Sequence, residues 1–253
     1  MEMTVFNALI NNAAILLMLS IIYDLSYTLP IRFRRTRPVF SGLLIAMMCV
    51  ATMLANFELV PGVYYDTRTI LISVTALIFG WIPTAITAAA ALLTRFIIGG
   101  AGTLAGVLII LASALIGLFW RRLTYKSPAK RRWIHILCMS VAVHAVMMAF
   151  TILLPVPGRM QIMSIIAAPV MIVYPIASVL LSILLLRQQD LRQTQSQLEQ
   201  SEERFRRLFD QAPLGYQSLD AQGNFIEVNE RWLSMLGSFS SSATRSIWLP
   251  RSD

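Results

Sequence analysis

The chain has 253 residues, of which 57% are hydrophobic and only 13% are charged, and its mean hydropathy is +0.66. Soluble domains have about 45–50% apolar and about 25% charged residues, so this composition excludes an ordinary soluble domain and predicts an integral membrane protein. The net charge is +8, but the basic residues cluster at the ends of apolar runs, where they orient helices in a bilayer. No basic face with interleaved aromatic residues, typical of nucleic-acid binding, occurs in the sequence. The lipid bilayer is therefore the expected partner, and nucleic acid is not.

Five apolar runs are long enough to cross a bilayer, which needs about 20 residues per helix. They lie at residues 4–24, 39–57, 103–120, 133–153 and 161–186. The N-terminus lacks the basic start and small-residue cleavage site of a signal peptide, so the first run is predicted to be a retained span. One further apolar region, residues 69–98, is too long for one ordinary span and short for two.

The basic joints at residues 32–37 and 121–132 decide how region 69–98 crosses the membrane. If the region is one helix, the two joints lie on opposite sides; if it is a helical hairpin, both lie in the cytoplasm, as the positive-inside rule favours. Gly80 and Pro83 offer a place for the bend, although they also suit a kink in one long helix. We therefore expect short helices at 69–80 and 83–97. This gives seven membrane helices, with the N-terminus outside and the C-terminus in the cytoplasm.

A hairpin would bring Arg68 and Arg95 to similar depth on the extracytoplasmic side. Two simple interpretations are that each side chain snorkels to the headgroups, or that it pairs with Asp66 or Glu58. The third is an anion pocket, because a guanidinium presents a planar fork of donors that matches a carboxylate. Two forks at one cavity would select a small organic acid.

Residues near the two arginines suit such a pocket. Tyr65 offers a hydroxyl, Asn56 an amide, and the glycines after Arg95 allow close backbone approach, although small residues equally suit helix packing. The predicted ligand-binding set is Arg68, Arg95, Asp66, Tyr65, Asn56, Gly99 and Gly100. His135 and His144 lie nine residues apart, on opposite faces of a helix. Neither a metal nor a cofactor is expected.

Four motifs follow one another in this part of the chain: Asp66-Thr67-Arg68, Phe79-Gly80-x-x-Pro83, Arg95 and Gly99-Gly100-x-Gly102. Their order and spacing resemble the 5TM receptor domain of the LytS-YhcK type. The resemblance covers most of residues 20–187 and implies the N-terminal sensor of a bacterial histidine kinase or diguanylate cyclase in the inner (plasma) membrane. It does not identify the ligand, and the carboxylate is inferred from the two arginines alone.

A connector helix is predicted to continue from the last span. Leu184, Leu191, Leu198 and Phe205 recur every seven residues, which is the spacing of a coiled-coil seam. The intervening d-type positions, such as Thr194, are polar, so a merely solvated connector remains the alternative. A signalling coil acts in pairs and would transmit a rotation or a piston movement. A homodimer through this helix is therefore expected.

The soluble end resembles the first third of a PAS domain. Ala212-Pro213-x-Gly215, a strand, a turn at residues 220–223, a second strand and a helix opened by Asn229 follow in order. A PAS fold needs about 100 residues, and the tail from about residue 238 is polar and shows no strand alternation. The segment is expected to be incomplete, as a frameshifted or fragmentary reading frame would explain, and no flavin or haem site is assigned.

The predicted organisation is an all-α polytopic membrane domain (1–186), a connector helix (187–202) and an incomplete α+β PAS segment (203–253). The predicted function is a receptor that binds a small extracytoplasmic ligand and relays its binding to an effector. The alternative is a small-solute permease, because short broken helices are also features of transporters. The chain shows no catalytic motif, so the resemblance implies that a cyclase or kinase would follow in a longer protein.

Overall fold

A computed structural model of the chain describes residues 18–25, 36–54, 57–60, 63–65, 67–100, 102–128, 131–152 and 159–235. The chain divides into two compact units, Met1–Gln188 and Gln189–Asp253. Asn56, Asp66 and the polar tail from about residue 238 lie outside the described residues.

The first unit is built from apolar helices. The helices are α1 (residues 18–25), α2 (Arg37–Leu54), α3 (Arg68–Ile78), α4 (Trp81–Ile98), α5 (Thr103–Lys126), α6 (Arg132–Thr151) and α7 (Arg159–Asp210). Among the described residues, five helices are long and apolar enough to span a membrane: α2, α4, α5, α6 and the part of α7 that starts at Val170. Residues 18–24 of α1 belong to the predicted first span, and α3 is shorter, with 11 residues. The predicted all-α polytopic fold is confirmed.

One element of the first unit is not predicted from the sequence. Strands β1 (Phe57–Val60) and β2 (Val63–Tyr65) pair in antiparallel fashion between α2 and α3. They lie between the predicted span at 39–57 and Arg68, except that Phe57 was predicted as the last residue of that span; α2 ends at Leu54.

The apolar region 69–98 is two helices. The break falls at Phe79 and Gly80, and Gly80 has φ +88°, a conformation that only glycine adopts without steric cost. The proline is not the breaker: Pro83 lies in the first turn of α4, where its missing N–H has no partner to lose. For this reason α4 begins at Trp81, two residues before the predicted start.

Contacts with α5 show that α3 and α4 are antiparallel. Gly117 packs against Ser73 and Ala76 of α3, and one turn later Arg121 donates to the carbonyls at the end of α3, so α3 and α5 run in parallel. In contrast, Gly80 at the start of α4 lies beside the Arg121 guanidinium, and Arg95 near its end lies beside Gly106. The predicted hairpin is therefore present. We call residues 79–80 the bend, and the end that carries Arg68 and Arg95 the open end.

Helix α3 is the central element of the membrane unit. All of its 11 residues are buried, and it contacts α2, α4, α5 and α6. Its apolar side chains, among them Ile70, Leu71 and Leu77, belong to one core cluster with residues of α1, α2 and α7. A helix buried on every side is held by protein rather than by lipid, so its short length does not prevent it from lying in the membrane unit.

The second unit contains the end of α7, an antiparallel pair of strands and a short helix. Strand β3 (Gln217–Leu219) pairs with β4 (Phe225–Val228), and α8 (Glu230–Met235) follows. The turn between the strands is organised by the Asp220 carboxylate, which accepts hydrogen bonds from Gln222 and Asn224. The side-chain and backbone donors of Asn224 lower the pKa of Asp220. The predicted strand–turn–strand–helix order is confirmed.

Asn229 holds the elements of the second unit together. Its buried amide oxygen accepts from the backbone N–H groups of Tyr216 (2.8 Å) and Trp232 (2.9 Å). Its amide nitrogen donates to the carbonyls of Phe209 and Leu214, each at 2.9 Å. One side chain therefore ties the end of α7, the start of β3 and the first turn of α8.

The contact between α3 and α5 depends on Gly117. A Cβ at this position would lie 2.6 Å from Cβ of Ala76 and 2.7 Å from the carbonyl oxygen of Ser73. We expect Gly117→Ala to force the two helices apart and to lower stability by about 1–3 kcal/mol, as overpacking of a core does. Thermal unfolding in detergent measures this. Ala89→Val adds volume on the exposed face of α4 and is the control; equal melting temperatures for both variants would contradict the packing of α3 against α5.

Candidate functional site

The two arginines lie at the same end of the hairpin. Arg95 contacts α5 at Gly106, 15 residues from Arg121 at the bend, which corresponds to about 22 Å along a helix. Arg68 opens α3, 10 residues before its last residue, Ile78, which corresponds to about 15 Å. Both side chains therefore begin far from the bend, and their axial positions differ by about 7 Å.

Both arginines are buried within the protein. Arg68 has 7% and Arg95 has 2% of its surface exposed. Snorkelling, one of the interpretations left open by the sequence, requires that the guanidinium reach the headgroups. A side chain that is 98% covered by protein does not do so, and Arg95 is therefore a charge kept inside the bundle.

A glycine on α5 makes room for Arg95. If Gly106 carried a Cβ, that atom would lie 2.7 Å from Nε, 3.1 Å from Cδ and 3.3 Å from Cγ of Arg95. The side chain therefore crosses the bare backbone of α5. The sequence predicts close backbone approach at the glycines after Arg95; at Gly106 it is the Arg95 side chain that approaches the backbone.

The joint between α4 and α5 is short because of two glycines. Gly99 and Gly100 have φ values of +65° and +90°, which favour glycine over residues with a Cβ. The Gly100 carbonyl then accepts from the backbone N–H (3.2 Å) and the hydroxyl (2.8 Å) of Thr103. As a result, α5 begins five residues after α4 ends, and its N-terminus lies at the open end.

The positive charge of the open end comes mainly from the two guanidinium groups. Helices α3 and α5 begin there and α4 ends there, and the half positive charge of a helix N-terminus is opposed by the half negative charge of a C-terminus. Two buried threonines flank Arg68, and within the described part of the chain the hydroxyl oxygens of Thr67 and Thr69 have no hydrogen-bond partner. Buried polar groups are normally satisfied. The guanidinium groups, the N-termini of α3 and α5 and the two threonine hydroxyls are donors that together suit the binding of an anion.

Of the predicted binding residues, the structure brings Arg68, Arg95, Gly99 and Gly100 to the open end. Tyr65 is the last residue of β2, which immediately precedes α3, so its backbone lies there as well. Asn56 and Asp66 fall outside the described residues. Thr67 and Thr69 were not predicted, because buried hydroxyls are common in membrane helices and only their position beside Arg68 distinguishes them.

The opposite end of the bundle is basic. Arg121 donates from one terminal nitrogen to the carbonyls of Leu77 and Ile78, the latter at 2.7 Å. Its guanidinium also lies 4.9 Å from the centre of the Tyr125 ring. These bonds satisfy carbonyls that the break at Gly80 leaves without intrahelical partners. Further cationic side chains at this end come from α2, α5 and α6: Arg37, Arg122, Lys126 and Arg132.

The two histidines lie far apart, as their spacing predicts. His135 is at the start of α6 and lies 2.7 Å from the hydroxyl of Ser127. His144 is fully buried, its Nδ1 lies 2.7 Å from the Ser140 carbonyl, and its ring packs edge-on against Tyr174. Within the described ranges, no group of three or more His, Cys, Asp or Glu residues could hold a metal ion.

Comparison with known families decides the identity of the membrane unit. A family model described as the 5TMR of 5TMR-LYT matches residues 22–188, well over half of the chain. The chain belongs to this family. A PAS-domain model matches residues 203–253 of the same 5TMR-LYT protein. No curated protein and no solved structure gave a significant match.

The match confirms the predicted architecture, a 5TM receptor domain followed by PAS sequence. This combination is that of a membrane sensor. The open end of the hairpin lies within the 5TMR-LYT region, and the unit tied by Asn229 lies within the PAS region.

Proposed function

We propose that this membrane sensor binds a small organic anion at the open end of the α3–α4 hairpin and relays its binding along α7 to the PAS region. The observation that carries the proposal is the burial of Arg68 and Arg95 at one end of the bundle, beside two helix N-termini. The ligand class, the relay and the orientation below are parts of this proposal.

Burying the charges of Arg68 and Arg95 costs free energy. An arginine at membrane depth costs about 2.5–3.5 kcal/mol on insertion scales, and two at the same end also repel each other. An anionic ligand that bridges them would offset both costs. A carboxylate suits this role because it accepts two parallel N–H bonds from one guanidinium and has further lone pairs for a second donor.

The proposed orientation places the open end outside the cell. The basic end of the bundle gathers Arg37, Arg121, Arg122, Lys126 and Arg132, and short loops rich in Lys and Arg stay in the cytoplasm. The open end is then extracytoplasmic, which suits a sensor of external solutes. The C-terminal part of α7 then enters the cytoplasm of a bacterial cell, with the N-terminus outside.

Helix α7 is the proposed path of the relay. It continues without a break from Arg159 to Asp210, from the membrane unit into the segment where the PAS match begins. Leu191, Leu198 and Phe205 are 70%, 67% and 59% exposed on it, and they form the heptad stripe. Exposed apolar residues at this spacing are typical of a coiled-coil seam, so we propose a second copy of the chain as their partner.

The arginine pocket predicts a charge-dependent ligand response. In nanodiscs, the wild-type chain should be stabilised against heat by acetate, propionate or succinate more than by acetamide or propionamide. Arg68→Ala and Arg95→Ala should each weaken this response by about 10- to 100-fold in apparent affinity, because a hydrogen bond to a charged group contributes about 1.5–3 kcal/mol.

Arg122→Ala is the matched control, because Arg122 is exposed at the opposite end. Equal stabilisation of all four proteins by the carboxylates, or equal stabilisation by acids and amides, would contradict the pocket. Flux of the labelled acid into proteoliposomes would favour the permease, and saturable binding without flux favours the sensor.

A substitution at Gly106 should weaken the same site without removing either arginine charge. Gly106→Ala should displace the Arg95 side chain and weaken carboxylate binding by about tenfold, although both charges remain, because misplacing a donor by even 1 Å is costly. Isothermal titration in detergent measures the affinity. The substitution should add nothing in an Arg95→Ala background; a further loss there would show that Gly106 acts by another route.

The heptad stripe predicts a contact between two copies of α7. In a background where Cys49 and Cys138 are replaced by alanine, Leu191→Cys and Leu198→Cys should form interchain disulfides in membranes on mild oxidation. Ser196→Cys lies on the opposite face of the helix and should form few. Equal crosslinking at all three positions, or none at any, would contradict the paired connector.

A further inference from the structure

Helix α1 contacts both the bend of the hairpin and the base of the connector. Its described residues are 18–25, and Leu19, Ile22 and Tyr23 are buried in the main core cluster. Three residues of α1 make specific contacts beyond this packing: Ser20, Tyr23 and Asp24. They are spaced i, i+3 and i+4, so they lie along one side of the helix.

The first contact joins α1 to the bend. The ring of Tyr23 meets the ring of Phe79 edge-on, with centroids 5.6 Å apart and planes inclined by 74°. Tyr23 is 3% exposed. Phe79 caps α3, and its neighbour Gly80 carries the reversal of the chain. Edge-to-face pairs of this kind have a preferred geometry, so Tyr23 follows the position of the bend.

The second contact joins α1 to α7. The side-chain nitrogen of Gln188 donates to the hydroxyl of Ser20 at 2.6 Å and to the carboxylate of Asp24 at 3.4 Å. Gln188 is the last residue of the membrane unit, two residues after the apolar Leu186. Both hydrogen bonds are partly buried, so water replaces them only in part when the groups separate.

We propose that Ser20, Tyr23 and Asp24 form a coupling clamp that transmits the position of the hairpin bend to the base of the connector helix. Ligand binding at the open end acts on α3, which is packed on every side and ends at Ile78, directly before Phe79. A displacement of Phe79 shifts Tyr23, and because Asp24 is the next residue of the same rigid helix, it shifts the acceptors of Gln188. Helix α1 is thus a working part of the sensor as well as an anchor. This inference rests on the relay proposed above and identifies the residues that regulate it.

The clamp is tested first without ligand, by hydrogen exchange of the amides at residues 189–195 in the full chain in nanodiscs. Gln188→Leu keeps the side-chain size and removes both hydrogen bonds, and Phe79→Leu removes the ring contact. Each should raise exchange by about fivefold, the factor that corresponds to one hydrogen bond. The double variant should exchange no faster than Gln188→Leu. Phe96→Leu, an exposed aromatic on α4, should change nothing.

Two results overturn the clamp: unchanged exchange in Phe79→Leu, or additive effects in the double variant, which would mean that the bend and Gln188 act independently. A second measurement adds propionate as the probe. The clamp predicts that Gln188→Leu keeps the propionate-dependent thermal shift but loses the propionate-dependent change in exchange at residues 189–195. If propionate does not shift the melting temperature of the wild-type chain, the proposed carboxylate site is contradicted. The exchange measurements without ligand, on the two single variants and the double variant, still test the clamp.

Discussion

The reversal of the chain at Gly80 is the constraint on which the rest of the membrane unit depends. A break inside an apolar environment leaves the last carbonyls of α3 without intrahelical partners, and water is not available there to replace them. Arg121 supplies the missing donors from α5, through its bonds to Leu77 and Ile78. In one continuous helix through residues 69–98, Arg68 and Arg95 would lie at opposite ends. The bend places both residues at the open end instead.

The same arrangement separates two kinds of positive charge. Arg122 and Lys126 are exposed at the basic end, where water solvates their charge. Arg68 and Arg95 are covered by protein at the open end, where taking a charge out of water carries a desolvation cost. Proteins keep buried charge where it serves binding or switching. The bare backbone of Gly106 makes room for Arg95, and the glycine joint at Gly99 and Gly100 follows closely after Arg95.

Much of the fold follows from the sequence, because hydropathy and the positive-inside rule are direct consequences of the bilayer. The distribution of basic residues between the apolar runs predicted the hairpin, and with it the position of Arg68 and Arg95 at the same end of the bundle. The role of Arg121 was not predicted, since it resembles any basic residue at a helix end and its acceptors lie 43 and 44 residues away. The β1–β2 pair was not predicted either. Its strands of four and three residues are too short to show an alternation of apolar and polar residues. The contacts of α1 were not predicted either. Nothing in the sequence around Tyr23 or Gln188 indicates which residues they contact in the folded chain.

The most direct test of the central claim is the side of the membrane on which the two ends of the hairpin lie. Single cysteines at Tyr65, Ala101 and Ser127, in a background without Cys49 and Cys138, would be exposed to a membrane-impermeant maleimide on intact cells. A hairpin with an extracytoplasmic open end predicts labelling of the cysteines at 65 and 101, and of the one at 127 only after lysis. Labelling of positions 65 and 101 from opposite sides would show that region 69–98 crosses the membrane once, and the arginine site would have no basis.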